Sequence, residues 1–206
     1  MSTCLIELHY LPSIQYFSAL TDFQKVVIER QEHFVKQSYR NRCIINTAQG
    51  PQTLSIPLTA KHGKTLISEV RIDYSQKWLT NHWRAIHSAY AKAPFFEYYA
   101  DSLESILFKK HVFLFDLNRE LLTMCLKWIK LNVQIEESLA YEAGPPQSTK
   151  DLRNVISAKI KPLGSEVPSI RPYTQVFGNA FVNNLSLIDL VFCTGPQALT
   201  YVKGHV

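Results

Sequence analysis

The sequence predicts an α/β domain with a mixed, partly parallel central sheet, opened by a βαβ unit and accompanied by flanking helices and a β-hairpin. Three observations predict it. An apolar run over residues 4–8 is followed by Ile14, Phe17, Ala19 and Leu20 at roughly helical spacing, and then by a second apolar run, Val26, Val27 and Ile28. Strand, helix and strand in so short a span is the layout of a unit whose strands lie parallel. A third strand-like segment, residues 133–137, follows a long apolar helix and extends the same sheet.

The remaining elements follow in order. Residues 34–42 read as extended, with Lys36, Ser38, Arg40 and Arg42 on one face. Cys43, Ile44 and Ile45 continue that strand. A turn at residues 48–51 and a return strand through Thr53, Leu54 and Ile56 make the hairpin, and Pro57 marks a strand end. Residues 61–64 read as a loop and residues 66–72 as a short extended piece. Trp78, His82, Ile86 and Tyr90 recur every four residues on one helix face, with Ser75 as the expected cap. A second helix starts at Pro94. A third spans residues 117–130 behind Asp116, and its apolar character marks it as buried. Residues 143–172, rich in Gly, Pro, Ser and Lys, read as a lid or linker with a short helix at 151–159. The last helix covers residues 185–192 and stops at Gly195 and Pro196.

Length and composition bound the function. A chain of 206 residues, 46% hydrophobic and 19% charged, is expected to form one domain, residues 1–206, with a sizeable core. The net charge of +5 is scattered rather than gathered on a tail or stripe, which argues against nucleic acid as partner. Cys4, Cys43, Cys125 and Cys193 lie far apart among apolar neighbours, without the spacing of a zinc site or a disulfide framework. No metal site is expected, and the sequence leaves the cofactor open. No run approaches the length needed to span a bilayer, and no signal-peptide pattern opens the chain, so the expected location is the cytoplasm.

Ligands of open α/β sheets bind beyond the carboxyl ends of the strands, and both strands of the opening unit end in polar residues. His9 is fit to act there as a general base or a phosphate contact; a buried, hydrogen-bonded histidine is the alternative. Glu29, Glu32 and His33 end the second strand, and Glu32 and His33 are candidate acid–base groups. Lys36, Arg40, Asn41 and Arg42 follow directly. Two guanidinium groups and an ammonium on one face would clamp a phosphate or carboxylate. No nucleophile elbow, phosphate-binding loop or dinucleotide fingerprint is present.

Several stretches carry a resemblance: His9-Tyr10-Leu11-Pro12 with Tyr16-Phe17; Gln31 through Tyr39-Arg40-Asn41-Arg42; Leu54-Ser55-Ile56-Pro57-Leu58; Trp78 with His82 and Tyr90; Pro94-Phe95-Phe96; and Asn184 to Asp189 with Gly195-Pro196. Together they resemble the WbqC-like family over nearly the whole chain, although Ser13 stands where that family commonly has Trp. The resemblance implies a role in assembling a cell-surface polysaccharide precursor of the O-antigen type, and it adds Tyr10, Gln31 and His82 to the candidate substrate-binding residues. The expected activity is transfer of an acyl, aminoacyl or other group to a phosphorylated or nucleotide-linked sugar. A non-catalytic sugar-phosphate-binding or accessory protein is the alternative.

Overall fold

A computed structural model describes residues 2–59, 64–157, 170–178 and 180–204. Its centre is a four-stranded parallel sheet in the order β5-β2-β1-β6. β1 (Thr3–Ile6) and β2 (Lys25–Ile28) are joined by α1 (Ile14–Leu20) and pair in parallel, Cys4 opposite Val26 and Ile6 opposite Ile28. β5 (Gln134–Glu137) extends the sheet beyond β2, and β6 (Thr149–Asp151) pairs with the other side of β1. The expected α/β class and parallel strands are therefore present.

Alternation along the strands sorts the sheet into two faces. Cys4, Ile6, Val26 and Ile28 are fully buried on one of them and join the main core. Leu5 and Val27, opposite each other in register, lie on the second face, whose C-terminal edge carries Glu7 and Glu29. β3 (Arg42–Thr47) and β4 (Gly50–Ser55) form a separate antiparallel hairpin closed by a two-residue loop.

The helical part comprises α2 (Trp78–Tyr90), α3 (Phe96–Leu107), α4 (Leu114–Ile129), α5 (Leu187–Thr194) and α6 (Ala198–Lys203). α4 packs against α3 and α5 and buries ten of its side chains, among them Leu121, Leu122 and Cys125. It ends as Lys130 turns into the left-handed region, φ 56°. Its sixteen residues also present Asn118, a buried amide whose Nδ2 donates to the Arg40 carbonyl at 2.7 Å. The core helix thus reaches the strand ends.

Several local expectations are corrected. Residues 34–41 are not a strand. Turns occupy 36–37 and 39–40, and Gln37 is left-handed at φ 58°, which breaks the period that would align Lys36, Arg40 and Arg42. The short helix at 151–159 is not formed over its described part: Asp151 ends β6 and residues 153–155 make a turn. Residues 158–169 of the lid, which include the end of that helix, and residues 61–63 of the loop lie outside the described residues. α2 begins at Trp78 because Ser75 is held in a local turn, its N–H donating to Asp73 Oδ1 at 2.8 Å. α4 begins at Leu114, so Asp116 stands in its first turn rather than before it.

The burial of α4 sets an expectation for stability. Leu121→Ala should lower unfolding free energy by about 2–5 kcal/mol in urea, whereas Lys127→Ala on the exposed face should stay within about 0.5 kcal/mol. Equal effects would mean that this helix is not part of the core.

Candidate functional site

The polar side chains of the molecule converge at the carboxyl ends of β1, β2 and β6. The strand order runs outward from β1 through β2 to β5 on one side and returns to β6 on the other, so this is where the connections diverge, the position at which open α/β sheets bind ligands. The chain leaves β1 extended, and Glu7 and His9, two residues apart, come to the same side. The His9 Nε2–H donates to Glu7 Oε1 at 3.1 Å. Tyr16 packs on the His9 ring at 4.9 Å and Tyr39 at 5.4 Å, while the Tyr16 hydroxyl donates to the Glu7 carbonyl at 2.9 Å. The other imidazole nitrogen, His9 Nδ1, is buried and has no hydrogen-bond partner among the described residues. Two residues on, Leu11 takes φ 41° immediately before Pro12, a conformation that side chains and a following proline both disfavour.

Two arginines bind the strand ends together. Arg40 makes a bidentate pair with Glu32, Nε to Oε1 at 2.7 Å and NH2 to Oε2 at 2.6 Å. It also lies 3.8 Å from Glu7 and donates to Asn154 Oδ1 at 3.0 Å. Arg153, from the turn after β6, grips Asp151 through two bonds and donates to Glu29 Oε2 at 3.0 Å. The opposite Glu29 oxygen accepts from Ser138 Oγ at 2.6 Å and the Gln31 N–H at 2.8 Å. The Asn154 N–H donates to both Glu7 oxygens. Relative exposures are 1% for Glu7 and His9, 2% for Arg40, 0% for Glu29 and 5% for Glu32.

Charges so deeply buried are costly unless paired, and the electrostatics show the tension. Burial pushes the Glu7 carboxyl upward, but the hydrogen bond from His9 and the charge of Arg40 outweigh it and hold it below its ordinary range. At Glu32 burial wins over the Arg40 bonds, and the nearby Glu7 and Glu29 carboxylates add to it, so this carboxyl lies above its ordinary range.

The expected site residues separate into groups. His9, Glu32 and Arg40 come together with Glu29. Gln31 contributes its backbone N–H. Tyr10 and His82 form a second buried pair, the Tyr10 hydroxyl donating to His82 Nδ1 at 3.0 Å. Burial lowers the His82 pKa to about 4. His33 and Lys36 are exposed. Asn41 closes the base of the hairpin, donating to the Ile56 carbonyl at 2.9 Å, and Arg42 begins β3. Sequence reasoning missed Glu7, Arg153 and Asn154. Glu7 was hidden inside an apolar run, where a lone carboxylate facing the strand end was the available signal. Arg153 and Asn154 stand in a stretch whose composition reads as loop.

A cavity of about 310 Å3 opens beside this cluster on the second sheet face. Leu5 and Val27 floor it, and Glu29, Glu137 and Glu142 stand at its rim. No group of His, Cys, Asp and Glu among the described residues is arranged to hold a metal ion. All four cysteines are free thiols, and burial pushes each of them upward, Cys4 and Cys193 to about 12, which keeps them protonated. No described helix is long and apolar enough to cross a membrane.

Comparison with known proteins places this geometry. The model of the WbqC-like protein family matches residues 8–161. The uncharacterized protein Rv1507c of Mycobacterium tuberculosis is 28% identical, the similarity covering 97% of this chain and 96% of that protein. No solved structure matches the chain.

Two outcomes follow from the geometry. Arg40→Ala should cost about 3–5 kcal/mol of stability, because it strands Glu32 and Glu7 without a counter-charge, and Arg40→Lys should recover little of a bidentate contact. Denaturant unfolding checks both, and a loss below about 1 kcal/mol would show the pair to be dispensable. His82 sets the pH response. Its folded pKa, about 4, lies below the ordinary 6.5, so the unfolded chain binds the extra proton between those values. This contribution is complete above pH 6.5 and is lost as pH falls toward 4, on the order of 3 kcal/mol in all. The stability difference between wild type and His82→Gln should shrink across that window.

Proposed function

This chain belongs to the WbqC-like protein family, and on that premise we propose that it is a group-transfer enzyme of cell-surface polysaccharide precursor biosynthesis, with His9 as its general base. One observation carries the reading: Glu7 fixes His9 through Nε2 while Nδ1 stays buried without a partner among the described residues. A carboxylate that orients an imidazole also stabilises the imidazolium formed when the free nitrogen takes a proton. In the proposed reaction an acceptor amine or hydroxyl gives its proton to Nδ1 as its lone pair attacks the carbonyl carbon of an acyl or aminoacyl donor. The leaving group departs with that proton returned from the imidazolium.

The surroundings refine the substrate. The cavity beside Glu29 joins an apolar floor to a carboxylate rim, and Glu142 there makes no ion pair among the described residues. Such a lining favours a small acyl group, or an aminoacyl group with its ammonium at the rim, over a phosphate. Recognition of an anionic donor falls better to Lys36 and Arg42, which carry no ion pair among the described residues, than to Arg40, whose fork is filled by Glu32. Because His9 is closed over by Tyr16, Tyr39 and the Asn154 turn, substrate entry requires that turn to lift. The accessory reading has one observation in its favour, namely that the other ionised groups of the cluster are all paired already.

Acyl and aminoacyl donors offered with nucleotide-linked amino sugars should give a mass gain on the sugar, read by mass spectrometry. His9→Gln should lower that rate roughly 100-fold or more with little change in melting temperature. Transfer that persists in His9→Gln would remove His9 from the chemistry. A wild type that transfers nothing yet keeps a small molecule through purification would support the accessory reading.

A further inference from the structure

A second cavity lies away from the strand ends. It is a cleft of about 830 Å3 between the hairpin loop, the end of α2 and the segment 174–177. Thr47 and Gln175 line it with their side chains already bonded, and the rest of its polar lining is Gln49, Gln52, His87, Ser88, Lys92 and Thr174. None of the latter side chains makes a hydrogen bond or ion pair within the described residues, and no carboxylate lines the cleft. Small apolar residues, Ala85 and Ala89 among them, form the floor, with Phe177 at one side.

The wall behind this lining is fully bonded. Asp189 accepts from the Tyr173 hydroxyl at 2.5 Å and from the Tyr90 hydroxyl at 2.8 Å. The Tyr90 oxygen in turn accepts the Asn46 N–H at 3.0 Å. Asn46 Nδ2 donates to the Phe177 carbonyl, and the Gln175 amide clasps both backbone groups of Val182. Segment 174–177 is therefore held in place by partly buried bonds, while Gln52, Ser88 and Lys92 of the lining are exposed. A cleft fixed in advance spends little binding energy on ordering itself.

We infer that this cleft is a saccharide-binding site, for a sugar unit carrying one anionic substituent. Two carboxamides, two hydroxyls and an imidazole supply donors and acceptors together, which is what ring hydroxyls need. The alanine floor lets the apolar face of a ring approach closely, and Phe177 offers it an edge to pack on. Lys92, with no carboxylate beside it, favours a negative or neutral ligand over a cation. The site does not depend on the transfer reaction or on His9.

The test titrates the full chain with hexoses, N-acetylhexosamines, their 1-phosphates and inorganic phosphate, read by saturation-transfer NMR and calorimetry. At least one sugar 1-phosphate should bind more tightly than its parent sugar, and phosphate alone should be far weaker. Gln52→Ala should weaken sugar binding roughly tenfold, Lys92→Ala should erase the advantage of the 1-phosphate, and Ser88→Trp should block both. These positions are exposed, so melting temperatures should not move. His9→Gln should bind as the wild type does, whatever becomes of transfer. Failure of every sugar to bind, binding unaffected by Ser88→Trp, or phosphate binding as well as its sugar ester would each overturn the inference.

Discussion

Three carboxylates from the ends of two adjacent strands share a space that water scarcely enters, and the sheet can close only because two guanidinium groups reach them. Glu7 and Glu29 are neighbours across β1 and β2, and Glu32 follows within a turn. Unpaired, any of them would impose several kcal/mol. Arg40 answers Glu32 and Glu7 from the loop before β3, and Arg153 answers Glu29 from the turn after β6. Much of the surrounding architecture serves to hold these two arginines. Asn118 on α4 fixes the Arg40 backbone, Tyr39 and Tyr16 bracket His9, and Asp151 clamps Arg153.

This arrangement explains why His9 stands apart. Nearly every other polar atom in the cluster is saturated, and saturation makes a network rigid but chemically idle. An imidazole with one nitrogen committed and the other free is held in orientation without being spent. The strained Leu11 just beyond it belongs to the same picture, since unfavourable backbone conformations persist only where neighbours over-determine them. The Leu11 carbonyl accepts the Ser186 hydroxyl at 2.8 Å, which ties that strained turn to the start of α5.

What the sequence disclosed and what it hid have physical causes. The runs at 4–8 and 26–28 are mostly apolar because central parallel strands are buried, and at 133–137 Val133 and Ile135 alternate with polar residues, the pattern of a half-buried strand. β6 is three polar residues, Thr149, Lys150 and Asp151, at a sheet edge, and it carries no such pattern. Arg40 was legible as a charged residue beside a strand end. Its burial was not, because that depends on Glu7, a residue whose inward direction an apolar stretch conceals. The strand drawn through 34–42 failed at Gln37, whose left-handed backbone leaves no mark in composition.

The position of β6 also governs when the cluster can exist. Proteins are made from the amino end, and contacts distant in sequence form late. Arg40 and Glu32 are eight residues apart and can meet early, but Asn154 and Glu7 are separated by 147. While the chain is being synthesised, the β1 edge that β6 will cover stays open, and Glu29 still lacks the counter-charge of Arg153. The acidic strand ends keep that edge hydrated and discourage pairing with another chain. The same charges that must be neutralised in the finished fold therefore guard the unfinished one.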